Sequence, residues 1–500
     1  MNKVKFKKIS TILFVIMFSI LFYGCNAKKI VNNTKDIIDN IPSRQHIKNV
    51  SEEEGAINVY FNKSALTKYA LQGNEANYNV NLEERLLMRI NNAKKSIDMA
   101  TYEINLSKIV EALIDKAADG LTIRVVADAK NVNGEYEERY DIMKLNIEKM
   151  IRGKDHIIGT KDDIHVICDS PMFAVTNKTL RKQFNLPDLN DISKKSIKIG
   201  KNLITGLMIT EGEKKSGSIY YSPNDQMHNK FVIIDNKWVW TGSWNFTETG
   251  LYGSEENMNK GILDGNTQNS VEINSSKLAQ VYKDEFNEMW GGSGINPNPE
   301  KADFHSRKKD NTIHKVDVNG TLVEVYFSPG DNAVGKLQQL VKKEANFRVY
   351  FDIFSWSDEN IVSLLKNKWE RTNGERTNFQ LKGVFDSSFF YKNWSASQKM
   401  IKQYKNKPPI FKDKEKRKLH SKTMIIDANT SSDPVVVIGS TNWSNNGNKV
   451  NDENMLFIHN ANIANQFLQE FYARYHQAGG VIPKEEKMID NKAFSFYLKN

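Results

Sequence analysis

A chain of 500 residues is too long for one hydrophobic core, so two or more domains are expected. Hydrophobic residues make up 39% and charged residues 26%, a balance that excludes a largely disordered chain. The formal charge of +10 suits a phosphate-bearing partner without selecting one.

The N-terminus carries Lys3, Lys5, Lys7 and Lys8 ahead of an apolar run from Ile9 to Phe22, closed by Tyr23-Gly24-Cys25. The run is shorter than the roughly 20 residues that a membrane-spanning helix needs, so residues 1–24 read as a secretory signal. Cys25 behind a small residue resembles a bacterial lipobox, with Phe22 where Leu is usual. Acylation of Cys25 would leave an exported, membrane-anchored lipoprotein, residues 25–54 serving as anchor and polar tether. The competing reading is a simple secretory signal with an incidental cysteine. Cys168, in the alternating run "DIHVICD", reads as a small core residue, and no zinc-type cysteine or histidine spacing occurs.

From residue 55 the chain repeats itself. "INVYF" (57–61) and "VEVYF" (323–327) are alternating strands followed by helical patterns. "IVEALIDKAADGLTIRVVAD" (109–128) and "IVSLLKNKWERTNGERTNFQLKGVFD" (361–386) each give a helix, a turn and a strand ending in aspartate. Residues 55–290 and 313–500 therefore read as two copies of one α/β unit, joined by a Gly-, Pro- and Asn-rich linker at 291–312. The first copy holds more chain between Asp128 and His228 than the second between Asp386 and His420, which implies an insertion near 131–220.

Both copies close with one polar pattern. In "HNKFVIIDNKWVWTGSWN" (228–245), His228, Lys230 and Asp235 precede Gly242, Ser243 and Asn245. In "LHSKTMIIDANTSSDPVVVIGSTNW" (419–443), His420, Lys422 and Asp427 precede Gly439, Ser440 and Asn442. Downstream, "SEENM" (254–258) and "NDENM" (451–455) place Glu256 and Glu453 at equal distances from the preceding asparagines. Histidine and lysine two apart on a strand project from one face, and the glycine lets Ser and Asn approach that face. Two facing clusters offer two imidazoles across a double-lysine anion site, which suits a phosphodiester. Glu256 and Glu453 are candidates to orient the imidazoles, and the chemistry needs no metal or other cofactor.

The pattern H-x-K-x4-D-x6-G-S-x-N, present twice, resembles the HKD signature of the phospholipase D superfamily. The second copy departs from it in the longer loop after Asp427. The resemblance implies two mixed-sheet α/β domains related by a pseudo-twofold axis, one shared active site in a monomer, and a phosphohistidine intermediate. It implies His228 as nucleophile, His420 as acid, Lys230 and Lys422 as phosphate-holding groups with Ser243, Asn245, Ser440 and Asn442, and Asp235 and Asp427 in support. Combined with the anchor, it points to release of phospholipid headgroups. An endonuclease acting on nucleic acid and a phosphatidyltransferase of cardiolipin synthase type are the alternatives, and a non-catalytic surface adhesin is the third reading.

Two features lie outside the motifs. "DSSFFYKNWSASQKM" (386–400) and "YKNKPPIFKDKEKRKLH" (404–420) interleave aromatic and basic residues, fitting either a substrate entrance or a solvated loop with a few core aromatics. His305 and the other histidines outside the two motifs read as surface or core residues.

Overall fold

The computed structural model describes residues 44–128, 138–169, 179, short strand segments between 196 and 219, 226–298, 301–371, 379–486 and 489. The signal, Cys25 and most of the tether lie outside the described residues. No helix among the described residues is long and apolar enough to cross a membrane.

In the first half the strands are β1 (Ile57–Phe61), β2 (Ser96–Thr101), β3 (Thr122–Ala127), β4 (His165–Cys168), β5 (Leu207–Ile209), β6 (Lys230–Ile234), β7 (Trp238–Gly242) and β8 (Asn269–Asn274). They form one sheet in the order β1-β8-β7-β6-β2-β3-β4-β5. The second half supplies β9 (Lys315–Val318), β10 (Thr321–Ser328), β11 (Arg348–Ile353) and β12 (Gln380–Phe385). It continues with β13 (Ile410–Lys412), β14 (Lys422–Ile426), β15 (Val435–Gly439) and β16 (Glu453–His459). Their order is β9-β10-β16-β15-β14-β11-β12-β13. From β1 to β4 in one order and β10 to β13 in the other, the strands correspond one for one, so the repeat read in the sequence is a structural duplication. Each sheet is mixed: β2, β3 and β4 run parallel, as do β11, β12 and β13, while both motif strands pair antiparallel.

The helices are α1 (Leu82–Asn92), α2 (Ser107–Ala118), α3 (Glu138–Arg152) and α4 (Ser276–Trp290), then α5 (Ala333–Lys343), α6 (Glu359–Glu370), α7 (Ala396–Gln403) and α8 (Ala461–Ala478). Their ends follow capping chemistry. Asn81, Ser275 and Asn460 accept from the first-turn N–H groups of α1, α4 and α8. Apolar side chains of α1 to α3 form a separate core on the outer face of the first sheet. Those of α5 to α7 do the same for the second. The inner faces, with α4 and α8, share a third core that mixes residues of both halves. Tyr282 of α4 meets Phe327 of β10 edge-on at 5.2 Å, and Phe467 of α8 meets Phe61 of β1 edge-on at 4.9 Å. Each half therefore lends its inner helix to the other's core.

Two sequence expectations need correction here. α3 and β4 fall within the insertion expected near 131–220, yet they stand where α7 and β13 stand in the second half. The excess chain comes after Cys168, and among its described pieces β5 extends the sheet parallel to β4. The segment 291–312 is more than a linker: Ala302, Phe304, His305 and Lys308 are buried.

The motif aspartates explain how the strands are held. Asp235 follows β6 with φ of 56°, and its carboxylate accepts from the N–H groups of Lys94, Lys95 and Ser96 at 2.6–3.2 Å. Asp427 follows β14 with φ of 50° and accepts from Asn346, Phe347 and Arg348 at 2.8–2.9 Å. Each one clamps the far end of a motif strand to the start of its neighbour. Asp427→Ala strands three main-chain donors, those of Phe347 and Arg348 buried, and urea unfolding should show a loss of about 2–3 kcal/mol. Asp427→Asn, which keeps an acceptor, should recover part of it; equal stability of wild type and both variants would refute the clamp.

Candidate active site between the two halves

His228 and His420 stand two residues ahead of β6 and β14. Their main-chain N–H groups leave their own halves: His228 donates to the Asp452 carbonyl at 2.8 Å, and His420 to the Thr267 carbonyl at 2.9 Å. The two motifs are thereby brought to one place. Lys230 and Lys422 project with the histidines, and each Nζ donates back to the carbonyl of its own motif histidine, at 2.5 and 2.7 Å. Both lysines are buried. Burial, with Lys230 close by, holds the Lys422 ammonium well below the ordinary lysine range.

An aromatic ring covers each pair. Tyr102, just after β2, lies edge-on to His228 at 4.5 Å, and the Lys230 ammonium sits 4.8 Å from the same ring. Phe354, just after β11, lies 4.8 Å from His420 and 4.7 Å from the Lys422 ammonium. Sequence reading missed both rings. The available signal was an aromatic at the same point of each repeat, one residue past the strand.

The duplication is broken at the second imidazole nitrogen. Glu453 Oε2, from β16, lies 2.7 Å from His228 Nδ1. With the Nδ1 proton facing a carboxylate, the imidazole lone pair resides on Nε2. Burial pushes the Glu453 carboxyl up to about 8, against the pull of Lys230 and of hydrogen bonds from Ser440 and Asn451. His420 Nδ1 instead faces the Ser243 carbonyl at 2.9 Å, an oxygen that only accepts, so this nitrogen carries a proton too. Burial, then Lys422 and Lys230, drive the His420 pKa well below the usual imidazole range.

The residue standing in Glu453's place in the first half is Gln268. Gly242 pairs with Ser270 and Gly439 with Met455, which sets Asn269 against Asn454 and Gln268 against Glu453. The Gln268 amide donates to the Gly250 carbonyl at 2.5 Å, while its Oε1 is buried without a hydrogen-bond partner. Glu256 is not brought to the site. It is exposed on the short helix Glu255–Lys260 and pairs with Lys260, which lowers its pKa. The true counterpart of "NDENM" is "NTQNS" (266–270). Equal spacing to Glu256 misled because two short helices, Glu248–Leu251 and Glu255–Lys260, intervene in the first half.

The remaining motif residues divide by position. A Cβ on Gly242 would lie 2.3 Å from the Asn269 carbonyl oxygen, and one on Gly439 would lie 2.2 Å from that of Asn454. Only glycine permits this approach, at φ of 158° and 137°. Ser243 and Ser440 fasten the same crossing: their hydroxyl oxygens accept from the Asn269 and Asn454 N–H groups at 3.2 and 3.1 Å. Asn245 donates to Glu103 at 3.1 Å, and the Oδ1 atoms of both Asn245 and Asn442 are buried without a hydrogen-bond partner. Asp235 and Asp427, expected beside the chemistry, sit at the opposite ends of the motif strands in the clamps described above.

Behind His228 lies a second polar cluster. His305 Nε2 is 3.0 Å from Asp169, and Nδ1 is 3.2 Å from the Val450 carbonyl and 3.1 Å from the Asp452 carboxylate. Asp169 and Asp128 both accept from the Met227 N–H at 3.0 Å. His305 thus braces both chain segments that flank His228. Asp169, His305 and Asp452 bring potential metal-ligand atoms within 4.8 Å of one another, although both imidazole nitrogens already stand at hydrogen-bond distance from oxygens.

The family model described as "Cardiolipin synthase, PLD-like domain" matches residues 86–290 and 337–475. No curated protein matches the chain. Among solved structures, phosphatidylserine synthase of Haemophilus influenzae Rd KW20 is similar over 89% of this chain and 90% of its own, at 13% identity and a TM-score of 0.44. NucT from Helicobacter pylori is similar over 32% of this chain and 99% of its own, at 17% identity and a TM-score of 0.27. Polyphosphate kinase from Porphyromonas gingivalis is similar over 84% of this chain and 53% of its own, at 11% identity and a TM-score of 0.42. With two HKD motifs joined at one site and a family match over more than half of its length, the chain belongs to the PLD-like family of the phospholipase D superfamily.

Proposed function

We propose that the chain is a phosphodiesterase that releases phospholipid headgroups through a covalent phosphohistidine on His228, with His420 as general acid. The observation that carries the assignment of roles is the asymmetric orientation of the imidazoles. Glu453 faces His228 Nδ1 and favours the positive charge that the ring acquires when Nε2 bonds to phosphorus. In the first step the phosphorus–oxygen bond to the headgroup breaks, and His420 gives its Nε2 proton to the leaving oxygen. In the second, neutral His420 takes a proton from water, the water oxygen bonds to phosphorus, and the bond to His228 breaks. Lys230, Lys422, Asn245 and Asn442 stabilise the non-bridging oxygens throughout. An alcohol in place of water gives phosphatidyl transfer, the reading favoured by the words of the matching family model. The N-terminal sequence supports export and anchoring through Cys25.

The test measures headgroup release from mixed phospholipid vesicles alongside plasmid nicking and transfer to an added alcohol. Release that disappears in His228→Ala supports the proposal. Nicking without release selects the endonuclease, dominant transfer selects the transferase, and no turnover with no trapped phosphohistidine leaves the adhesin.

The roles of the two histidines separate with a phosphodiester whose leaving group needs no acid, such as a nitrophenyl ester. His420→Ala should still release a burst of nitrophenol and then stall as phosphohistidine, for lack of a base to activate water. His228→Ala should give no burst. A burst in His228→Ala that vanishes in His420→Ala reverses the assignment.

The pH profile follows from Gln268. In the free enzyme kcat/KM falls as pH rises through the pKa of the acid, and His420 is held low, so this limb lies on the acid side of an ordinary histidine. Gln268→Glu places a carboxyl where Glu453 stands in the other half; its ionised form favours the imidazolium, raises this pKa and moves the limb to higher pH. An unmoved limb would exclude His420 as the group that sets it.

A further inference from the structure

We infer that the rim beside His420, residues 389–418, is a docking surface for the face of an anionic phospholipid bilayer. Between Ser387 and Lys418 the chain carries ten Lys and Arg residues against two acids, an excess of eight in a protein of net charge +10. Neither acid offsets the surface, and of the lysines Lys399 and Lys416 are ion-paired with acids outside the segment, Glu359 and Asp264. Asp413 is 2% exposed, and Glu415 is ion-paired with Arg474. Tyr391 and Trp394, 68% and 42% exposed, are the exposed aromatics among the described residues, and both stand on this rim.

The exposed rings are held in place by hydrogen bonds. The buried Ser397 hydroxyl and the Gln398 amide both donate to the Phe390 carbonyl, at 2.6 and 2.9 Å, and the Ala396 N–H donates to the Trp356 carbonyl at 2.9 Å. The Asp386 carboxylate accepts from Ser388 N–H at 2.9 Å and from Leu419 N–H at 2.8 Å, tying the loop to the residue before His420. A run of ring contacts connects the surface to the site: Trp394 to Phe389 at 5.3 Å, Phe389 to Phe354 at 5.0 Å, and Phe354 to His420 at 4.8 Å. What settles on the rim is therefore presented to the second imidazole.

Base stacking and bilayer docking make different demands on such rings. Stacking needs open faces. Here the Lys412 ammonium lies 5.2 Å from the centre of the Tyr391 ring, Phe390 meets that ring edge-on, and Phe389 lies against Trp394. Rings that project beside lysine ammonium groups suit the headgroup layer, where an amphipathic ring has one end in apolar and one in polar surroundings. The charge is almost entirely lysine, which attracts an anionic surface as a set of point charges, whereas recognition of individual phosphates favours the bidentate arginine fork.

This inference rests on the proposed lipid substrate for its purpose, while its test requires no turnover. Hydrogen–deuterium exchange of the full chain is followed by mass spectrometry in three conditions. These are vesicles of mixed phosphatidylcholine and phosphatidylglycerol, vesicles of phosphatidylcholine alone, and single-stranded DNA. The mixed vesicles should slow exchange across 387–395 and 410–418, and the double variant Tyr391→Ser/Trp394→Ser should lose that protection. The variant should keep its melting temperature and its rate on a soluble short-chain phospholipid. Unchanged exchange in the presence of mixed vesicles overturns the inference. So does equal protection by DNA that the double variant retains, which would mark a general polyanion surface. Protection without headgroup release would leave the docking surface standing and remove the proposed function; release without protection would do the reverse.

Discussion

Everything at the site depends on two main-chain hydrogen bonds that cross between the halves. His228 donates to the Asp452 carbonyl, next to Glu453 that faces its own imidazole, and His420 donates to the Thr267 carbonyl, just ahead of β8. Because the acceptors are backbone atoms just ahead of β8 and β16, the depth of each histidine follows from where those strands begin. Side-chain flexibility has little part in it. The shared inner core, with Tyr282 and Phe467 packed across it, keeps the two registers in step. Neither half holds a complete site.

On this near-symmetric frame the electrostatics are one-sided. Glu453 supports His228, whereas Gln268 turns to Gly250 and leaves His420 on a main-chain carbonyl. The bracing behind the histidines is one-sided as well. Asp452, whose carboxylate meets His305, stands where the first half has Thr267, so the cluster of His305, Asp169 and Asp452 lies behind His228. More groups hold His228 and its neighbours in position than hold His420. That difference agrees with the proposed roles, since a residue that bonds to phosphorus at one angle needs rigidity more than one that passes protons in turn.

Much of the frame was legible in the sequence. Alternating strands bounded by glycine and aspartate, a repeat of helix, turn and strand, and a six-position polar pattern present twice specify the duplicated fold and bring both histidines and both lysines together. What was not legible depends on distance in space. Counting along the chain assigned Glu256 because it assumed loops of equal length, whereas the strand register, set by Gly242 against Ser270, selects Gln268. The aspartates of the motif were expected to support the chemistry because they recur with it. Their recurrence has a different cause, since each copy needs the same clamp on its strand end. His305 had no local pattern at all, since its partners are 136 and 147 residues away in sequence.

The charge of the site explains why its proton affinities are displaced. Two buried lysines stand with one buried glutamate, and glutamine occupies the place of a second carboxylate, so the site is rich in positive charge. In a protein interior such a charge is costly, and it is relieved by depressed pKa values at Lys422 and His420. A phosphodiester brings one negative charge to the same position. On the proposed mechanism its arrival offsets the repulsion from the lysines, so His420 gains a proton when there is a leaving group to receive it. On the proposed roles, depressed basicity in the free protein and acid catalysis in the complex are two states of one arrangement.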